Sequence, residues 1–356
     1  MPGVRRGRTG PVVAVTGAAS GAGAEVLARL ARSERVDRVL GVDPRPGPPD
    51  VPWCEVDLLD PTLTGAFDGV SAVAHLAVDL APDPDRAGQR QRNTRAVQTV
   101  VTAAFAAGVR RVVVVSSALA YGAYPDNALP LPDDAPLRAV PEASVVGDLL
   151  EVERIAASSR RSHRGLSVTV LRPAVVLGAG DREPMAALLG APRLLRIRGA
   201  ETRWQFCHVA DLAAAVEVAA LAPAGQLDGP ANVACEGWLD ADELERITGR
   251  RSLELPERVA VGTAERLHRL GITPASPSEL SYLVHPWVVE CARLRDAGWA
   301  PTHTNADAVR EHLADRGERS RGVRIDARGA TAAAGAAVAL VGTAALVRRA
   351  RRRRSG

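Results

Sequence analysis

Residues 12–23 read VVAVTGAASGAG: apolar positions of strand character, a turn with three glycines, and the start of a helical pattern that runs from Ala22 to Arg32. A strand that passes straight through glycine into a helix opens a βαβ unit, which excludes all-helical and all-β architectures. The theme then repeats. Val39 to Val42 and Ala72 to Ala77 are apolar runs, Val56 reads as the end of a third strand, and Arg111 to Val115 and Ser167 to Leu171 are rich in β-branched residues. Runs without polar alternation suit strands buried on both faces, as in a parallel sheet. Helical patterns separate them at about Ala96 to Ala107 and Val145 to Ser162. The expected fold class is α/β, a doubly wound parallel sheet. Beyond residue 173 the alternation becomes irregular and Pro-rich, as expected for a smaller C-terminal lobe with returning segments.

A length of 356 residues accommodates one large α/β domain with such a lobe. Hydrophobic residues make up 46% but aromatics only 3%, so the core is built from Ala, Val and Leu. All 45 basic residues are arginine. With no lysine, the chain cannot run Schiff-base chemistry, a P-loop lysine, or a Tyr-x-x-x-Lys acid/base pair. Residues 315–356 hold eleven arginines against three acids, a balance of +8, which leaves the first 314 residues at −4 within the chain's total of +4. No nucleic-acid face is therefore expected on the globular part. Cys54, Cys207, Cys235 and Cys291 lie far apart, without a C-x-x-C pair. Reduced thiols are expected, with no disulfide framework and no metal site. The basic N-terminus lacks the apolar stretch of a secretory signal.

The glycine turn suits a pyrophosphate. Gly17 permits the tight turn, Gly21 and Gly23 allow close approach, and Ser20 and Ala22 complete the loop at the helix N-terminus, where an anion is stabilised. Asp43 ends the second strand, where a carboxylate accepts from ribose hydroxyls of NAD and repels the extra phosphate of NADP. Arg45 nearby leaves room for NADP as the second choice.

Further segments, in order, carry a family resemblance: Val56-Asp57-Leu58, Ala74-His75-Leu76-Ala77, Asn93, Ser116-Ser117-Ala-Leu-Ala-Tyr121-Gly122, Leu171-Arg172-Pro173 with Gly178, Phe206-Cys-His208-Val209-Ala-Asp211, and Gly298-Trp299-Ala-Pro301. Over roughly residues 12–314 the chain resembles the extended short-chain dehydrogenase/reductase superfamily, specifically its NAD-dependent epimerases and dehydratases. The resemblance implies a Rossmann fold. It also implies cofactor contacts from Asp57 and Leu58 beside the adenine, Leu76 and Ala77 along the pyrophosphate and ribose, and Asn93, Ser116 and Pro173 further on. The glycine spacing departs, following the superfamily's shorter enzymes. The expected organisation is a flexible basic N-terminus (1–10), a NAD-binding Rossmann domain (11–173), a smaller substrate lobe (174–314), a charged linker (315–328), a candidate membrane helix (329–347) and an Arg-rich tail (348–356).

The catalytic pattern fails. In the family a Tyr acts as acid/base and a Lys four residues later lowers its pKa, the spacing placing both on one helix face. Anchored on Glu153, the acidic residue that commonly ends the pattern, Val145 falls at the tyrosine position and Leu149 at the lysine position. Ser117 matches the auxiliary catalytic serine and is the surviving candidate. Asp148, beside the missing lysine, is a candidate substitute acid/base, or else a capping or solvated carboxylate. His75, His208, Asp211 and Tyr121 read as structural. Val175 stands where sugar-nucleotide epimerases often carry a substrate-binding Asn.

Gly329 to Val347 has no charge: nine Ala, three Gly, three Val, two Leu and two Thr. As a helix it would span about 28 Å, near the hydrocarbon thickness, and arginines follow it. The expectation is membrane association through anionic headgroups, with the body at the cytoplasmic face; a tail lying along the inner leaflet is one arrangement and a soluble basic linker the other reading. The partners expected are a small-molecule substrate of unknown identity, with nucleotide sugars among the candidates, an anionic membrane, and a second copy of the chain as a homodimer. Three functions stay open: a NAD(H)-binding protein without the ordinary catalytic pair, an active epimerase or oxidoreductase with a substitute acid/base, and a non-catalytic dinucleotide-sensing scaffold.

Overall fold

The computed structural model describes residues 10–81, 83, 85–180, 184–269 and 277–322. The chain runs through β1 (Val12–Thr16), α1 (Gly21–Arg32), β2 (Arg38–Val42), β3 (Trp53–Cys54), α2 (Leu63–Ala66), β4 (Ala72–His75), α3 (Arg86–Ala106), β5 (Arg111–Val115), α4 (Val145–Ser162) and β6 (Ser167–Pro173). It continues through β7 (Val175–Leu177), α5 (Pro184–Leu188), β8 (Leu194–Ile197), β9 (Phe206–His208), α6 (Val209–Leu221), β10 (Gly229–Val233), α7 (Ala241–Thr248), β11 (Ser252–Leu255), α8 (Glu257–Arg269), α9 (Ala292–Asp296) and α10 (Asn305–Gly322).

Seven parallel strands form the main sheet in the order β3-β2-β1-β4-β5-β6-β10. From β1 the winding goes one way to β2 and β3, then reverses through β4. The crevice at that switch, beyond the carboxyl ends of β1 and β4, is where such sheets take ligands. Side chains alternate between the two faces. Val13, Val15, Ala74 and Val113 pack on one side with Val26, Leu27 and Leu30 of α1 and with Leu212, Val216 and Ala219 of α6. Ala14, Val73, Val112 and Val114 pack on the other with Val97, Val100 and Val101 of α3 and Val152 and Ala156 of α4. Burial on both faces explains why the strands read as unbroken apolar runs. The smaller lobe holds the parallel pairs β8–β11 and β7–β9. Its sequence returns α6 to the side of α1 and β10 to the edge of the main sheet.

Some boundaries differ from the sequence reading. The third strand is Trp53–Cys54 and does not extend to Val56. Just beyond, Asp57 turns the chain off the edge by accepting from the Leu59 N–H at 3.0 Å. Helix α3 starts at Arg86, ten residues before the apolar pattern. Asp85 caps it by accepting from the Gly88 N–H at 2.9 Å, and its first turns are held by buried Gln89 and Asn93 instead of apolar contacts, so no hydrophobic period marks them. Helix α10 continues to Gly322, into the segment expected as a charged linker. Residues 1–9, 329–347 and 348–356 lie outside the described residues, so the proposed membrane helix and Arg-rich tail do too. Among the described residues, no helix is long and apolar enough to cross a membrane.

Candidate functional site

A cavity of about 530 Å³ opens at the switch between β1 and β4. One end is the loop from β1 to α1. Gly17 turns the chain at φ 76°, and a Cβ there would lie 2.8 Å from the Ala77 nitrogen, so conformation and space both require glycine. Ser20 caps α1, its Oγ accepting from the Gly23 N–H at 2.9 Å. A Cβ on Gly21 would run into the Ala179 carbonyl, and one on Gly23 into the Gly17 carbonyl. Close approach at these two glycines is thus already made by the protein's own backbone, and Gly23 is not among the cavity-lining residues, whereas Gly17, Ser20, Gly21 and Ala22 are. The first turn of α1 carries no acidic side chain, so its positive end meets the cavity uncompensated.

Beside this loop, Asp43 follows β2 and is 2% exposed. One oxygen accepts from the Ala19 N–H at 3.1 Å; the other accepts from the Arg45 N–H and Nε, both at 3.0 Å. Burial pushes the Asp43 carboxyl up, but the hydrogen bonds from Arg45 and Ala19 outweigh it and hold the group below the ordinary carboxylate value. The Arg45 side chain is 57% exposed, and its carbonyl accepts from Trp53 Nε1 at 3.0 Å. Asp57 and Leu58 complete this end, and Leu76 and Ala77 form the wall that continues β4. The wall goes on through Val78, Asp79 and Leu80, which the sequence motifs do not single out. Asn93 does not line the cavity. Its carboxamide is spent on the Asp79 backbone, accepting from the N–H at 2.9 Å and donating to the carbonyl at 3.1 Å, and so positions the wall from behind.

Val115, Ser116, Ser117, Pro173, Val176 and Leu212 surround the far end. Ser117 Oγ accepts from the Leu119 N–H at 3.3 Å, capping the short helical turn Ala118–Tyr121. Ser116 Oγ is buried and, among the described residues, has no hydrogen-bond partner. An unpaired buried hydroxyl is costly unless something else meets it, so this atom fits a site built for a polar ligand. On α4, Val145 and Leu149 are both buried. Glu153 and Arg172 form a buried two-pronged ion pair, at 2.8 and 2.9 Å, that ties α4 to β6. Arg172 also donates to the Tyr121 hydroxyl at 2.9 Å, which itself donates to Asn232 at 2.8 Å, so Tyr121 is held in the core. Asp148 is fully buried but does not line the cavity. Its carboxylate faces α3, 3.0 Å from Arg86, 3.4 Å from Arg90 and 3.3 Å from the Asn93 amide. Held between two guanidinium groups outside the cavity, this carboxylate ties α4 to α3.

These elements are those of a dinucleotide-type crevice. A model of the NAD dependent epimerase/dehydratase family matches residues 13–234, and the chain belongs to that family. An uncharacterized protein of Mycobacterium tuberculosis (strain ATCC 25618 / H37Rv) is 27% identical over 320 residues, covering 86% of this chain and 84% of its own length. The UDP-glucose 4-epimerase of Thermotoga maritima has a TM-score of 0.66 at 17% identity over 87% of this chain and 99% of its own. A short-chain dehydrogenase/reductase superfamily protein from Agrobacterium tumefaciens with bound NAD gives 0.65 at 22% identity over 88% of this chain and 100% of its own. At these identities the two solved structures show a common fold.

Proposed function

We propose that the chain binds NAD(H) in this cavity and lacks the ordinary Tyr/Lys proton machinery of its family, whose positions Val145 and Leu149 occupy. The observation that carries the reading is the joint placement of the α1 N-terminus, Asp43 and the unpaired Ser116 hydroxyl along one cavity. NAD supplies a hydride acceptor or donor when bound. The loop Gly17 to Ala22 would hold the pyrophosphate, Asp43 would accept from the ribose once Arg45 swings outward, and Ser116 and Ser117 would offer hydroxyls at the nicotinamide end. With valine and leucine on α4 and no lysine in the chain, no side chain there couples proton transfer to hydride transfer. Binding without ordinary turnover follows. The Arg-rich tail would keep the body at the cytoplasmic face of an anionic membrane.

Titration of NAD and NADP against the purified protein tests the cofactor reading, with saturable NAD binding expected and NADP weaker. No binding of either sinks it. The structural likeness to UDP-sugar epimerases favours a nucleotide sugar as the second ligand, although the position of the family's Asn is taken by Val175, 1% exposed in β7. Adding UDP-glucose to the NAD complex decides: a change in nicotinamide absorbance would restore the enzymatic reading, and an unchanged spectrum supports the dinucleotide-sensing one.

A further inference from the structure

A second cluster of chemistry-bearing side chains stands outside the cavity lining, where α10 packs against β9 behind the loop after β7. His208 ends β9, and its Nε2 lies 3.3 Å from Oε2 of Glu311 on α10. The His303 ring stacks on His208 with centroids 3.8 Å apart. One ligand atom from each of His208, His303 and Glu311 lies within 4.8 Å of the other two, the one such group among the described residues. Behind them, Asp211 Oδ2 is 2.9 Å from His303 Nδ1. Asp211 also accepts from the Thr302 N–H at 2.9 Å, the Thr302 hydroxyl at 2.6 Å and the His303 N–H at 3.1 Å. With Nδ1 facing Asp211, Nε2 is the His303 nitrogen left to meet an ion.

We propose that His208, His303 and Glu311 bind one zinc ion. Two imidazoles and a carboxylate form a set suited to zinc, leaving a fourth tetrahedral position to water. Bonds of about 2.0–2.1 Å at tetrahedral angles place ligand atoms about 3.3 Å apart; His208 and Glu311 already stand so, whereas the His303 ring must swing out of its stack on His208 for its lone pair to meet the same ion. Asp211 orients the His303 ring, as carboxylates behind zinc-bound histidines do. Glu311, with its side chain 55% exposed, gives the ion a route from solvent. The cost is one helix cap. His208 Nδ1 accepts from the Ala210 N–H at 3.3 Å, so its proton sits on Nε2; zinc binding moves that proton to Nδ1 and gives up the cap. The ion would pin α10 to the junction of β9 and α6, beside Gly178, whose added Cβ would lie 3.3 Å from His208 Nε2. Ala179 and Gly180, the next two residues, line the cavity.

Full-length protein freed of metal with a chelator and titrated with zinc chloride is expected to take up one zinc per chain at this site and to unfold at a higher temperature. Cobalt(II) in its place should give the visible absorption of a four-coordinate site. Glu311→Gln, on an exposed side chain, should weaken zinc binding at least tenfold without changing the metal-free melting temperature, and His303→Ala should do the same to the affinity. No uptake by the unaltered chain, or undiminished uptake by Glu311→Gln, overturns the assignment. Neither result depends on whether NAD binds.

Discussion

Asp43 and Arg45 are paired in a way that makes cofactor choice a competition between two side chains. Arg45 satisfies the carboxylate that the ribose of NAD would use, and the same guanidinium could meet a 2′-phosphate. Asp43→Ala is expected to weaken NAD at least tenfold and to narrow its preference over NADP. Arg45→Ala should leave NAD binding equal or tighter and reduce any NADP binding; the reverse order in a fluorescence titration would show the ribose assignment to be mistaken. His75 poses a different problem. It is fully buried, with Nδ1 2.8 Å from Thr16 Oγ1 and Nε2 without a hydrogen-bond partner among the described residues, and burial pushes it down from 6.5 to about 4. The unfolded chain takes up this proton near pH 6.5 and the folded one only near pH 4. Stability from this group is therefore complete above about pH 6.5 and lost as pH falls toward 4, by about 3 kcal/mol in all. His208, also held low first by burial and then by His303, acts in the same direction. Denaturant midpoints from pH 7 to 5 should fall less steeply in His75→Asn than in the unaltered chain; equal slopes would mean that His75 is protonated without cost.

Among the elements, α4 is fixed to β6 by a buried ion pair. Glu153 and Arg172 are each 6% exposed, so neither charge can relax into water if the other is removed. Glu153→Ala is expected to cost about 3–5 kcal/mol in urea unfolding, whereas Glu153→Leu with Arg172→Met should cost much less because no charge is stranded. Equal losses would show that the pair contributes more than mutual compensation. The helix itself was legible over its full length, since Ser144 caps it and an apolar period marks its face. The start of α3 was not, because Gln89, Asn93 and the partners Arg86 and Asp148 replace apolar contacts with a polar network that leaves no period. Asp148 belongs to the same network. One position from the lysine site in sequence, it points across to α3.

For the whole molecule, charge is divided between an acidic body and a basic tail, and membrane binding is the role proposed for the tail. Full-length protein should sediment with vesicles containing anionic lipid and be released by salt, whereas residues 1–328 should stay soluble and bind NAD with unchanged affinity. Equal solubility of both forms would remove the membrane from the reading. What the amino-acid sequence determined by itself was what short-range physics can write: strand period, glycine where backbones crowd, a carboxylate after the second strand, and the absence of any lysine. What only the tertiary structure decided lies between segments distant along the chain. Asn93 supports the cavity wall from behind, Arg45 occupies the Asp43 carboxylate, the Ser116 hydroxyl has no partner among the described residues, and His208, His303 and Glu311 come together from a strand end, a loop and the last described helix. Local patterns report which residue types an element needs; they carry no record of which distant side chain will claim a polar group, because that depends on how the elements pack.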